Sequence, residues 1–280
     1  MKVSVIVTTY NRPDALTLVL RGLSRQRRTP DQVIVADDGS SDATRQCLKA
    51  IQAETGLAIR HEWQPDKGFR AARIRNRAIY QADGEYLVLM DGDCVPDVYF
   101  IHDHLRLART GFFFQGKRVL VKTSRLSRFN PAEIGKKRLA WLFCPGFANR
   151  HHMLRLPWFP TTVSRSLSGI RSCNMGVFRS DVMAVNGFNE DFTGWGREDS
   201  ELVVRLYNYG LKRRGHPFAA ICFHLWHQEH LRDRLAENDR LLENAMESVE
   251  YVCDNGILKG EDIPAGRNEG KTGVSGKVTP

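Results

Sequence analysis

Four short apolar runs, rich in β-branched residues, punctuate the N-terminal part of the chain, and a helical pattern separates each from the next. The runs are residues 2–10, 33–36, 57–63 and 86–90. Strand–helix–strand alternation demands parallel strands joined by right-handed crossovers. Such a sheet is covered on both faces, which is why the first run reads Val3-Ser4-Val5-Ile6-Val7 with little polar alternation. The helical spacing predicts a first helix capped by Asn11 and started by Pro13, with Ala15, Leu16, Val19, Leu20 and Leu23 on one face. A second follows Ser41, with Ala43, Cys47, Leu48 and Ile51 inward, and a basic third covers about 69–81, closed by Gly84.

The second half is less regular. Short strands are expected at 112–115, 118–121, 173–178 and 219–227, and helices at 198–209 and 231–252. The longer helix carries an apolar stripe of Leu231, Leu235, Leu242, Met246 and Val249. The expectation is one α/β domain over 1–254, with a central, mainly parallel sheet flanked by helices. Its parts are a nucleotide-binding half (1–115), a basic insertion (116–172) and an acceptor or catalytic half (173–254). Residues 255–280, sparse in apolar side chains, read as a disordered tail.

Hydrophobic residues make up 42% and charged residues 26%, which excludes disordered, collagen-like and disulfide-scaffold classes. The longest uncharged apolar stretch, 216–228, falls short of the roughly 20 residues a membrane span needs. The first strand begins directly after Met1-Lys2, with no secretory pattern, so the six scattered cysteines read as reduced thiols in a cytoplasmic protein.

In an open parallel sheet, ligands bind beyond the carboxyl ends of the strands. Thr8, Thr9 and Tyr10, then Asp37 and Asp38, then residues 63–67, then Asp91 and Asp93 converge there from four distant segments. Asp91-Gly92-Asp93 can hold a divalent cation, its glycine admitting a phosphate; turn preference alone is the competing explanation. Asp37 and Asp38 can accept hydrogen bonds from a base or ribose. Lys67, Arg70, Arg75 and Asn76 cluster near a helix start that could neutralise a diphosphate, whereas Arg73 and Arg77 read as a solvated face. In Gly194-Trp195-Gly196-Arg197-Glu198-Asp199 an indole can stack on a sugar and a carboxylate can act as base toward a hydroxyl. A capped helix start with Trp195 in the core competes with that reading. No G-x-G-x-x-G follows the first strand, and Gly270-Lys271-Thr272 lacks the first glycine of a phosphate loop, Ala265 standing there. His224, His227 and His230 lack the companions of a structural zinc site.

Together these motifs are similar to those of inverting, GT-A fold glycosyltransferases of the large family 2 type. Residues 4–12 resemble the family's opening strand, 35–41 its nucleotide-contacting turn, 67–76 its middle motif and 91–93 its metal-binding D-x-D. Asn186-Gly187-Phe188-Asn189-Glu190 with 194–199 resembles the C-terminal module of β-1,4-galactosyltransferases and chondroitin-polymerase-like enzymes. The likeness covers about residues 2–230; segment 117–172 and the tail lie outside its recognisable motifs. It implies a Rossmann-like GT-A fold and transfer from a nucleotide sugar, a UDP-hexose or UDP-N-acetylhexosamine. The acceptor would be a glycan or anionic glycolipid of bacterial-type lipopolysaccharide or polysaccharide synthesis. Tyr10 would stack near uracil; Asp38, with Asp37, would contact uracil or ribose. Thr9, Arg12, Lys67, Arg70, Arg75, Asn76, Gly92 and Trp195 would line the donor site. Asp93 would bind Mn²⁺ or Mg²⁺, with Asp91 reaching the ribose or a metal-bound water. His227 would be the second metal ligand, with His224 a competitor. Asp199 would be the base and Glu198 its acceptor-binding neighbour. One carboxylate base without a protein nucleophile implies inversion. A nucleotidyltransferase would want a Gly-rich basic loop after the first strand. A nucleic-acid-binding module would want a basic face where this sheet edge is acidic, so no nucleic-acid partner is expected.

The net charge is +9, and residues 117–155 carry all of it: ten Lys or Arg against Glu133 alone. Trp141, Leu142, Phe143, Phe147, Leu154, Leu156, Trp158 and Phe159 are interleaved. Such a segment suits anionic lipid headgroups; aromatic core filling beneath solvated cations is the alternative.

Overall fold

The computed structural model describes residues 1–228 and 232–259. In chain order the elements are β1 (Val3–Thr9), α1 (Pro13–Ser24), β2 (Gln32–Asp37), α2 (Asp42–Thr55), β3 (Ile59–Trp63), α3 (Ala71–Tyr80), β4 (Tyr86–Asp91), β5 (Cys94–Pro96) and α4 (Phe100–Leu107). They continue through β6 (Phe112–Gln115), β7 (Arg118–Val121), α5 (Thr123–Leu126), α6 (Arg138–Leu142), β8 (Phe147–Ala148), β9 (Thr162–Ser164) and β10 (Asn174–Phe178). The last are α7 (Arg179–Ala184), α8 (Glu198–Asn208), β11 (Lys212–Gly215), β12 (Cys222–Leu225) and α9 (Leu235–Glu247).

Among the described residues the main sheet has the order β3-β2-β1-β4-β10-β6-β11-β9. The first four strands are parallel. β10 then runs antiparallel to both β4 and β6, so the mainly parallel expectation holds for the N-terminal half and gives way to a mixed sheet beyond β4. A second sheet, β5-β12-β7-β8, packs beside it. Alternate β1 side chains feed two cores: Val3, Val5 and Val7 face α1, and Ile6 faces α3. Each such burial contributes about 1.5–3 kcal/mol, and a charge on either face would break the strand's place in the sheet.

The expected caps need correction. Arg12, not Asn11, precedes α1. Asn11 takes a left-handed backbone (φ 48°), which asparagine tolerates. Its Oδ1 accepts from Ser41 N–H at 2.9 Å and its own N–H donates to Ser40 Oγ at 2.8 Å. Asn11 thereby fastens the exit of β1 to that of β2. α9 is shorter than expected; Val249, assigned to its inward stripe, is exposed, and Leu231 lies outside the described residues. Asn255 to Lys259, expected within the tail, instead pack against Asn186, whose side-chain Nδ2 donates to Leu258 O and whose Oδ1 accepts from Leu258 N–H. The rest of that tail lies outside the described residues.

The apolar side chains of the basic segment divide between core and surface. Trp141 and Phe147 are core, stacked with centroids 5.1 Å apart and joined by Phe129 and Phe223. Arg138 pairs with Asp97, and Arg155 holds Asp103 at 2.6 Å. Leu139, Phe143, Trp158 and Phe159 are exposed.

Candidate active site

The carboxyl ends of β1, β2 and β4 bring Thr9, Asp37, Asp38, Asp91 and Asp93 to one edge, as the alternation predicts. Asp93 is the centre of the first cluster. Its Oδ1 lies 3.6 Å from His224 Nε2 and its Oδ2 3.3 Å from His227 Nε2. The three ligand atoms all fall within 4.8 Å of one another. β12 ends at Leu225, so His224 projects from the strand and His227 from the chain just past it. Both histidines reach the carboxylate that the sequence leaves them competing for. Burial, reinforced by Arg118, holds the His224 imidazole down at about 4, so it is neutral with a lone pair available at pH 7. One carboxylate and two imidazoles form a donor set that fits Mn²⁺ better than the oxygen-seeking Mg²⁺. Arg12, expected to line the donor site, donates to Asp93 Oδ2 at 2.7 Å and so balances that carboxylate.

Asp91, Cys94 and Cys173 form a second close group. The Cys94 hydrogen bond and burial hold the Cys173 thiol well above its ordinary range, and a protonated thiol is a poor ligand.

Arg75 organises the second cluster. It is 5% exposed, donates to Thr8 Oγ1 at 3.1 Å and Glu198 Oε1 at 2.9 Å, and lies 3.5 Å from both Asp91 and Asp199. Burial disfavours its charge, but Asp199, Glu198 and Asp91 outweigh burial and keep it ionised. Glu198 sits at the start of α8, largely enclosed; burial first, and then Asp199, raise it above the usual carboxylate range against the pull of Arg75. Asp199 differs. Its Oδ2 accepts from Ser172 N–H at 2.9 Å, while its Oδ1 has no hydrogen bond. The approach to α8 is a left-handed series, Gly194 (φ 74°), Gly196 (φ 105°) and Arg197 (φ 79°). The two glycines adopt this freely, whereas Arg197 is strained. Gly194 N–H donates to Phe69 O at 3.0 Å, tying this turn to the start of α3.

Several donor-site expectations are corrected. Asp37 is fully buried: it accepts from Ser40 N–H and pairs with His61 at 2.9 Å, so it braces the turn. Asn76 is also buried, clamping Phe188 through both backbone groups. Arg75, expected to line the donor site, is engaged as a hub among carboxylates. A Cβ on Gly92 would meet Thr8 O and Thr9 Oγ1 at 3.0 Å, so close packing on β1 favours a glycine there. Asp38 is held by Gln64 Nε2 and by Arg70 N–H at 2.7 Å, which anchors the 64–70 loop. Tyr10 and Lys67 remain exposed at the rim, Tyr10 donating to Asp66 at 2.8 Å. Thr9 Oγ1 is buried without a partner. Arg70 Nη2 donates to Pro65 O. Trp195 is exposed, with Arg232 stacked 4.9 Å from its ring centre, not in the core. Gln64, Asp66 and Ser172 complete the site without a motif to mark them; only Gln64 and Asp66 lie in a stretch the sheet-edge rule singles out.

A parallel half-sheet whose exits carry a carboxylate–histidine cluster, closed by a mixed half bearing Glu198 and Asp199, is the architecture of the GT-A fold. The chain belongs to glycosyl transferase family 2, whose sequence model matches residues 4–165. A second model, described as the N-terminal domain of galactosyltransferase, matches residues 160–228. Validoxylamine A glucosyltransferase of Streptomyces hygroscopicus subsp. limoneus is 31% identical over 228 residues, covering 74% of this chain and 48% of its own. Chondroitin synthase of Escherichia coli is 26% identical over 226 residues, covering 74% and 32%. The chain thus spans about half the length, or less, of these relatives. The crystal structure of Staphylococcus aureus TarS 1–349 in complex with UDP-GlcNAc has the same fold, with TM-score 0.63 and 18% identity over 88% of this chain and 66% of that one.

Proposed function

We propose that the chain transfers a hexosyl or N-acetylhexosaminyl group from a UDP-sugar to a hydroxyl of a glycan or glycolipid, with inversion at C1. The observation that carries this reading is Asp199 Oδ1, which lies 3.5 Å from Arg75 and makes no hydrogen bond. That oxygen has an ion-pair contact only, so it is free to accept a hydrogen bond from a substrate hydroxyl. Asp199 takes the hydroxyl proton as its oxygen attacks C1, and the bond from C1 to the diphosphate breaks on the opposite face. Glu198, paired with Arg75, positions that guanidinium rather than touching acceptor. Tyr10 and Lys67 meet the nucleotide at the rim. Asp93, His224 and His227 would hold a Mn²⁺, which neutralises charge on a departing diphosphate. The UDP-GlcNAc complex of TarS and the glucosyltransferase relative support the donor class.

The reading extends to an anionic acceptor or membrane surface in cell-surface glycan synthesis, with action on the cytoplasmic side. Leu139 and Phe143, four residues apart at α6, are 72% and 84% exposed, and Lys136 and Arg150 beside them in sequence are exposed as well. The test of the chemistry is Asp199→Asn, nearly isosteric but unable to take a proton. We expect kcat to fall roughly 10²–10⁴-fold with UDP binding retained. Loss of UDP binding instead would put Asp199 in the donor site and overturn its role as base.

A further inference from the structure

Behind the proposed catalytic edge, on the outer side of α3, lies a cavity of about 550 Å³ lined by Arg70, Arg73, Arg77, Glu190, Phe192, Asn255, Ile257 and Lys259. Volumes of this size accommodate small organic ligands. α3 is two-faced: Arg75 is buried toward Glu198 and Asp199, whereas Arg73 and Arg77, one turn apart, are exposed. The opposite wall is built by the returning chain. Asn186, fully buried and left-handed (φ 63°), binds Cys253 O at 2.7 Å, Leu258 O at 3.0 Å and Leu258 N–H at 2.8 Å. A Cβ on Gly256 would overlap Asn186 O at 1.8 Å, so this strap fits its seat closely.

The electrostatics are unbalanced. Four cations face the cavity and Glu190 is its only acid. That carboxylate is engaged already, accepting from Asn76 Nδ2 at 3.0 Å and pairing with Lys259 at 3.1 Å. Arg77 has only a distant partner, Glu62 at 3.6 Å, and Arg70 spends one nitrogen on Pro65 O. Clustered guanidinium groups on a concave wall over an apolar floor of Phe192 and Ile257 focus a positive potential and match the geometry of phosphate or carboxylate. We propose that this cavity is an anion-binding site separate from the donor site, taking a phosphate or carboxylate group. The source is either a free small anion or an acidic group borne on a glycan chain. The proposal does not depend on the catalytic assignment: of the cavity's residues only Arg70 also borders the proposed donor edge, through its backbone N–H to Asp38.

The test is calorimetric titration of the full chain at low ionic strength, without divalent cation. One arm uses inorganic pyrophosphate and the other a hexasaccharide bearing hexuronic acids. The same titrations are run on the double variant Arg73→Gln, Arg77→Gln and on a charge-matched control, Arg45→Gln, Lys49→Gln, on α2. We expect the first variant to weaken binding of at least one anion tenfold or more while the control leaves it within twofold. Melting shifts by UDP with Mn²⁺ should be unchanged in both variants. Pyrophosphate alone affected identifies a free anion, and the hexasaccharide affected identifies a chain-borne one. Absence of binding in the wild type, or equal weakening by both variants, would overturn the proposal.

Discussion

Asp93 is where the proposed chemistry is most exposed to a single substitution. Arg12, His224 and His227 converge on its two oxygens. Asp93→Ala should abolish the stabilisation that UDP plus Mn²⁺ gives the wild type, about 3 kcal/mol at a hundredfold excess over Kd, while the melting temperature without ligand stays within a few degrees. A variant that still melts higher with Mn²⁺ and UDP would remove Asp93 from the cation site. This aspartate is legible from sequence because D-x-D stands at the exit of a buried strand. The convergence of both histidines is not, since it depends on where β12 stops. Asp37 and Asn76 show the opposite error. Groups that bind ligands also satisfy buried backbone, and only the fold shows that Asp37 spends its oxygens on Ser40 and His61 and Asn76 on Phe188.

At the scale of elements, β1, β2 and β4 follow from their apolar runs, because each is six or seven residues long and buried along its length, whereas β3, at the sheet edge with no residue fully buried, follows only from the strand–helix alternation. β8, β9 and β11 follow from neither, being only two to four residues long, too short to show a period. The docking of α4 on β10 makes a pH-sensitive joint. His104 is fully buried against Asn174, its Nε2 2.9 Å from Asn174 Oδ1, and burial depresses its imidazole to about 4. The unfolded chain takes up a proton near pH 6.5 and the folded chain does not, so this stability is present above 6.5 and is lost as pH falls toward 4. Between pH 6.5 and 5 the loss approaches about 2 kcal/mol. Glu198, raised by burial, runs the other way and destabilises as pH rises. His104→Gln should therefore lower the melting temperature at pH 7.5 yet shrink its drop between pH 7.5 and 5. An unchanged drop would acquit His104.

For the whole molecule, no helix among the described residues is long and apolar enough to cross a membrane. The proposed contact with lipid is assigned to the exposed side chains around α6. Vesicle co-sedimentation should show binding to anionic vesicles at low salt, weakened at high salt and reduced by Leu139→Ser, Phe143→Ser; equal, negligible binding to neutral and anionic vesicles would remove this partner. The net charge of segment 117–155 is plain in the sequence, but its division is not, because Trp141 in the core and Phe143 outside it are both aromatics among cations. Arg75 has a consequence for how such chains diverge. It lies within the part matched by the family 2 model, whereas Glu198 and Asp199, which it holds, lie in the part matched by the galactosyltransferase model. The two segments are therefore not interchangeable cassettes. Among descendants of a common ancestor, positions 75, 198 and 199 should covary or stay fixed together. A chimaera joining one lineage's first segment to another's second should remain soluble only where that charge triad is inherited intact.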